Sequence, residues 1–313
     1  MVLDNGGIGV GEIPTSAAFR DETIAAIGRV LNEGRRRLRG AEIGGYAGHL
    51  DELRGAFPAA VMTMSGLEVA LFRACLASRG VPEHLYWGGR SGRIETDITV
   101  PILTDKQMLA SWIARAARKG FTAYKMKVSG NLAQDREIVS FTYRLLGEQC
   151  APFRLRLDGN QGYTAKTFLA FVDFLQEMRF AVELFEQPLP RNEFEGLAYI
   201  KERCPMPLIL DETIVTVEDA RRAVDHNLCH GINIKIAKSG IGESMKLLEF
   251  ARAHGLKLMA GCMIETMVGL SAAVFFAAGT GAFDFIDLDA VHFLYGENAY
   301  PGIGRVGPSF FIG

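Results

Sequence analysis

Lys125 and Lys127 stand two apart in the stretch FTAYKMKVSG, residues 121–130. The run is short and partly apolar, as a buried strand is, and strand side chains two residues apart point to the same face. Two ammonium groups are therefore aimed at one spot. On its own the pair reads as a solvated edge strand, where lysine discourages aggregation. Other residues in comparable positions argue otherwise. Asp158 closes RLRLD, Glu186 closes VELFE, Asp211 closes LILD and Lys235 closes GINIK, while Asp287 and Asp289 close FDFIDLD. Singly, Asp158 in DGNQG is a turn aspartate and Asp211 in DET a helix N-cap; the ordered recurrence points to a shared site. Three carboxylates with open positions are hard oxygen ligands of the kind Mg²⁺ takes. Lysines beside such a cation suit removal of a proton from a carbon next to a carboxylate. The resulting ene-diolate carries extra negative charge, which a cation and an ammonium stabilise where it develops.

The elements that must position these groups recur from about residue 97. The β-rich runs are 98–103, 123–128, 154–158, 182–186, 208–211, 231–235, 256–261 and 283–289. Between them lie amphipathic stretches such as DKQMLASWIARAARKG and GESMKLLEFARAHG, closed by glycine as helix C-termini are. Strands alternating with helices predict parallel βαβ units, and a ring of eight explains the count better than an open sheet. In such a barrel, functional groups gather at the C-terminal strand ends. The third, fourth and fifth strands are neighbours, so Asp158, Glu186 and Asp211 would form one arc. The second and sixth lie opposite each other, which sets Lys127 and Lys235 on facing walls. One could take a proton from one face of a carbon while the other returns it to the opposite face, inverting the centre. Lys125 would pair with a substrate carboxylate, and its charge would draw Lys127 toward the useful range near ~7–8. Of Lys235 and Lys238, the strand-end Lys235 is expected in the site and Lys238 on a helix surface.

Residues 1–96 follow another pattern. GVGEIPTS reads as the end of a hairpin, RDETIAAIGRVLNEGRRRL and SGLEVALFRACLASRG as helices, and YWGGRSG as the turn into the first barrel strand. We read 1–96 as a partial, mostly helical capping domain, 97–290 as the barrel, and 291–313 as a segment rich in Gly and Pro that returns over the surface.

Composition excludes some classes of function. A formal net charge of −2 leaves no electrostatic footprint for nucleic acid, and GRRRLRG (34–40) reads as the basic face of a helix. The longest apolar run, from Met267, is interrupted by Gly, Ser and Thr and falls short of a membrane span; a buried helix is expected. MVLDNGGIGV has neither the basic start nor the apolar core of a signal peptide. Five scattered cysteines without a C-x-x-C fit free thiols in a reducing compartment, so a cytoplasmic protein is expected. No histidine has ligand-like company. Glu265 reads as capping the next helix or bonding locally, outside the site.

YKMKV, LRLDGNQGY, LFEQPLP, LILDETI, INIKIAKSG and GCMIETMVG, in that order, closely resemble the enolase superfamily in its muconate-lactonizing subgroup. The resemblance covers the chain from about Val10 to its end. It implies an α/β fold: a (β/α)₇β TIM-like barrel with an N-terminal α+β cap. It also implies one Mg²⁺ per subunit on Asp158, Glu186 and Asp211, with Lys127 and Lys235 as acid and base. Within the subgroup, ETDITVPI and the D-x-D of FIDLDAV look like dipeptide epimerases. By that resemblance Asp287 and Asp289 bind the α-ammonium of a dipeptide's first residue. Thr99, Lys125 and Cys262 would touch the rest, although members of the family tend to carry Ser where Cys262 stands. A homo-oligomer acting on a dipeptide such as L-Ala-D/L-Glu is expected. The same lysines and metal serve N-acylamino-acid racemisation and o-succinylbenzoate synthesis, whose substrates offer no free ammonium to the D-x-D. The chain begins inside the expected cap hairpin, without the earlier strands and the mobile loop that helps choose the substrate side chain. That motivates a further alternative, a shortened, non-catalytic barrel remnant; the intact lysines and carboxylates argue against it.

Overall fold

The computed structural model describes residues 1–16, 19–296 and 298–313. The N-terminal region is helical. Thr23, whose hydroxyl accepts from Ala26 N–H, caps α1 (Ile24–Leu38); α2 (Tyr46–Ala56), α3 (Val61–Ser78) and the one-turn α4 (Glu83–Tyr86) follow. By length and composition α3 could cross a bilayer, but 78% of it is buried inside the structure. It is the core helix of the cap. GVGEIPTS finishes only a minimal hairpin: Val2 bridges Ile8 and Met1 exchanges backbone hydrogen bonds with Gly9 at 2.9 and 3.1 Å, while its residues after Gly9 form no strand. A Cβ on Gly9 would stand 2.0 Å from Ala70 O, and one on Gly11 2.0 Å from Gly66 O. These glycines let the backbone lie directly on α3, where a sequence pattern suggests a turn.

After β1 (Arg93–Glu95) comes the barrel. Its strands are β2 (Ile98–Val100), β3 (Ala123–Lys127), β4 (Arg154–Asp158), β5 (Leu184–Glu186), β6 (Leu208–Leu210), β7 (Gly231–Ile234), β8 (Lys257–Gly261) and β9 (Phe285–Asp287), parallel and neighbours in chain order. Asp97 N–H donates to Ile286 O at 3.2 Å, bringing the last strand back to the first. Each of the eight β-rich runs holds one strand, most of them trimmed at one end or both. The intervals hold α5 (Lys106–Arg118), α6 (Leu132–Gln149), α7 (Ala165–Glu177), α8 (Phe194–Lys201), α9 (Val217–Asp225), α10 (Ile236–Ala253) and α11 (Met267–Thr280). Local chemistry starts several of them: Asp105 and Asn131 cap α5 and α6, and Thr164 and Thr216 form capping boxes for α7 and α9. The apolar run from Met267 is the buried helix α11, as expected.

Inside the barrel, Leu184, Ile209, Met259 and Phe285 pack as an apolar layer. Each lies two residues before a strand-end position, on the same face, so this layer floors the polar site. The C-terminal segment does more than return over the surface. β10 (Ile303–Val306) and β11 (Ser309–Ile312) form a hairpin, and β11 pairs with β1 in a second sheet. Its Phe310 is fully buried; truncation to Ala would cost ~3–5 kcal/mol.

Candidate active site

Sheet register builds the first half of the site. Lys127 pairs with Asp158 and Asp158 with Glu186, while Asp211 directly follows β6. The three carboxylates thus end adjacent strands, and all are buried. Four ammonium groups interleave with them. Lys127 Nζ donates to Asp158 Oδ2 at 2.5 Å, and Lys125 Nζ reaches Glu186 at 3.1 Å and Asp158 at 3.4 Å. On the far wall, Lys235 Nζ donates to Asp211 Oδ2 at 2.7 Å and Lys238 Nζ to Oδ1 at 2.6 Å. Lys238 is not on a helix surface. It is 2% exposed, because the chain turns inward between Lys235 and Gly240 before the long part of α10.

The charges respond to this company. Burial works against ionisation of Asp158 and Asp211, but Lys127 and Lys125 hold the first, and Lys235 and Lys238 the second, below the usual carboxylate range. Glu186 is pushed up to about 7 by burial and by Asp158. Burial opposes the Lys235 charge as well, yet Asp211 and Glu186 outweigh it and raise the ammonium above the ordinary lysine value. For Lys238 burial wins and its value falls. Two amides unnoticed in the sequence bond these acidic residues, one at a carboxylate and one at the backbone. Asn233 Nδ2 donates to Glu186 Oε1 at 2.7 Å, and Gln187 Oε1 accepts from Asp211 N–H at 2.9 Å. The signal existed: Asn233 lies two residues before Lys235 on a buried strand, where an amide needs a partner.

The second half lies where β9 meets β2. Lys125, fully buried, also donates to Asp287. Asp289 Oδ2 accepts from Thr99 N–H at 2.5 Å, and Cys262 Sγ lies 4.0 Å from Asp289 Oδ1. Burial, then Asp287, pushes Asp289 up to about 6, and burial pushes the Cys262 thiol well up. Asp97, Asp287 and Asp289 bring oxygens within 4.8 Å of one another; Arg156, 2.8 Å from Asp97 and 2.6 Å from Glu183, partly balances them. Asp97 and Arg156 were missed because neither ends a strand. Glu265 bonds locally, accepting from Met263 N–H at 2.9 Å. Thr99, Lys125, Lys127, Asp211, Lys235, Cys262, Asp287 and Asp289 line one cavity of about 970 Å³, while Glu186, bonded to Lys125, and Asp158 do not line it. Asp158 is joined to it through Lys127. The cap contributes Thr15, Ser16, Phe19 and Arg20 to the cavity lining, so a cap segment does face the cavity.

Comparison with known proteins agrees with this geometry. The Enolase C-terminal domain-like family matches residues 107–303. The chain belongs to this family. It is 32% identical over 305 residues to the L-Ala-D/L-Glu epimerase of Thermotoga maritima, spanning 96% of this chain and 86% of that protein. It is 32% identical over 311 residues to the aromatic dipeptide epimerase of Herpetosiphon aurantiacus, spanning 97% and 85%. The crystal structure of the dipeptide epimerase from Enterococcus faecalis, complexed with Mg and L-Leu-L-Tyr, superposes with a TM-score of 0.88 at 25% identity and covers 100% of this chain and 87% of that one. The curated relatives are epimerases, hence isomerases, acting on dipeptides.

For this enolase-family barrel the donor set fits a divalent cation. Among the described residues, Asp158, Glu186, Asp211, Glu212, Asp287 and Asp289 gather at the cavity or behind its lining with Lys125, Lys127, Lys235 and Lys238, and Arg20 and Arg191 also line it. Glu212 Oε2 and Asp287 Oδ1 are buried without a hydrogen-bond partner. Buried carboxylate oxygens left without a donor are hard ligands of the kind that suits Mg²⁺.

Proposed function

We propose that the chain is a Mg²⁺-dependent dipeptide epimerase that inverts the α-carbon of the C-terminal residue by two-base proton transfer through an ene-diolate. The observation that carries this reading is the placement of Lys127 and Lys235 four strands apart in a ring of eight, on facing walls of one cavity. Asp158, Glu186 and Asp211 would hold the cation. When bound, it supplies positive charge at these oxygens and at the substrate carboxylate as negative charge develops there.

The chain's own groups perform the rest. Lys127 or Lys235 takes the α-proton, according to which epimer is bound, and the opposite ammonium donates to the other face. Lys125, shared among Asp158, Glu186 and Asp287, anchors the centre of the site and fixes the carboxylates to either side. Asp287 and Asp289 receive the dipeptide's α-ammonium, and Thr99 and Cys262 border it. This last pairing favours a dipeptide over an N-acylated amino acid, which has no ammonium to offer. L-Ala-D/L-Glu or a related dipeptide is the proposed substrate.

Incubation of the Mg²⁺-loaded protein in D₂O with a library of L,L-dipeptides tests the reading. Deuterium at the second residue's α-carbon, with the D-epimer appearing, is expected. No exchange across the library in a folded, metal-bound sample would reject it.

A further inference from the structure

The turn that carries Lys235 is gripped by the cap. Lys238 and Ser239 N–H bond back to Lys235 O at 3.0 and 3.1 Å. The chain then breaks at Gly240, φ 76° and ψ −177°, a conformation essentially restricted to glycine. The next two amides, Ile241 and Gly242, open the long part of α10 and have no helical partners. Glu68 of α3 accepts from both: Ile241 N–H at 3.1 Å and Gly242 N–H at 3.0 Å. Its carboxylate is buried and held by Arg54 Nη2 at 2.7 Å. A carboxylate at a helix N-terminus is a charge-assisted cap, but this one comes from another domain. A Cβ at position 240 would lie 2.1 Å from Glu68 Oε2, so the glycine also makes room for it. One turn earlier on α3, Ser65 donates to Ile236 O. Ser239 Oγ donates to Val215 O at 2.8 Å on the barrel side. The short turn Lys235–Ser239 is therefore fixed at both ends. Lys127, by contrast, is held by Asp158 and Asn160, both of the barrel.

We propose that Glu68 is a positioning residue for epimerisation: by capping Ile241 and Gly242 across Gly240, it holds the Lys235 turn so that the ammonium faces the substrate α-carbon. This rests on the two-lysine reading above. Proton exchange from each pure epimer in D₂O tests it, because each epimer presents its α-proton to one wall. A lysine that equilibrates with solvent returns deuterium to the face it serves. Glu68→Gln keeps the shape of the side chain and removes its charge. Exchange of the epimer that Lys235→Ala fails to exchange is expected to fall about tenfold or more, while the other stays within about threefold of wild type. Equal losses for both epimers, or no loss, would overturn the role of Glu68. Should Glu68→Gln not accumulate as folded protein, Arg54→Met loosens the same carboxylate from a partly exposed position. A smaller loss on the same side supports the proposal, and a symmetric or absent effect overturns it. Wild-type protein that exchanges neither epimer of any dipeptide would instead remove the epimerase reading, and this proposal with it.

Discussion

The two walls of the cavity carry the same side chain in unlike surroundings. Lys127 ends a regular strand, its side chain is 27% exposed, and its carboxylate partner belongs to the neighbouring strand. The Lys235 side chain is 8% exposed, sits where a strand passes into a kinked helix, and shares Asp211 with Lys238. The first wall is set by sheet register, which hydrogen bonds along β3 and β4 fix locally. The second depends on a turn that the barrel alone does not hold and that α3 of the cap completes. Two groups proposed for one reaction in opposite directions are thus built by different means, and perturbations should separate them.

The largest effect is expected from the lysines themselves. Lys127→Ala and Lys235→Ala should each lower epimerisation by about 10³-fold or more, measured by chiral chromatography; full activity in either would remove its assigned role. Next come the carboxylates between the walls. Glu186→Gln removes a charge from the centre of the arc, and Mg²⁺ affinity by titration calorimetry should fall about 10- to 100-fold, with activity falling in parallel. Unchanged affinity would move the cation elsewhere, the group Asp97, Asp287 and Asp289 being the alternative.

At the ammonium end the expected effect is smaller and depends on pH. Asp289 is raised to about 6 by burial and by Asp287, so it loses its charge as pH falls through that value. Wild-type kcat/KM for a dipeptide should therefore drop between pH 7 and 5. Asp289→Asn should have a raised KM and lack that part of the decline; an identical pH profile would contradict the assignment. The smallest effect is on stability. A carboxyl whose value is raised in the fold binds its proton more tightly there than in the unfolded chain, so wild type loses stability as pH rises from about 4 to about 6. Asp289→Asn escapes this, and should gain on wild type by of order 1–3 kcal/mol across that window in denaturant titrations.

Much of this was legible in the sequence because it is local and periodic. Eight β-rich runs, five of them ending in or beside Lys127, Asp158, Glu186, Asp211 and Lys235, place those groups around one ring, whatever the details of the helices. What escaped is what joins distant parts of the chain. Lys238 looked like a helix-surface residue because Gly240, which turns it inward, is intelligible only beside Glu68. GVGEIPTS does end a small hairpin at Gly9, but nothing local showed that Gly9 and Gly11 also serve a close approach to α3. The β1–β11 pairing joins Arg93 to Phe311, and no short-range pattern marks it. Asn233 and Arg156 lie inside strands, where composition announces burial but not partners.

The central claim is that facing lysines serve opposite faces of one carbon. The most direct measurement feeds each pure epimer, in D₂O with Mg²⁺, to Lys127→Ala and to Lys235→Ala, and follows α-deuteration by NMR. Complementary behaviour is expected: one variant exchanges only one epimer, and the other variant only its partner. Exchange of the same epimer by both variants, or of both epimers by either, would contradict the account.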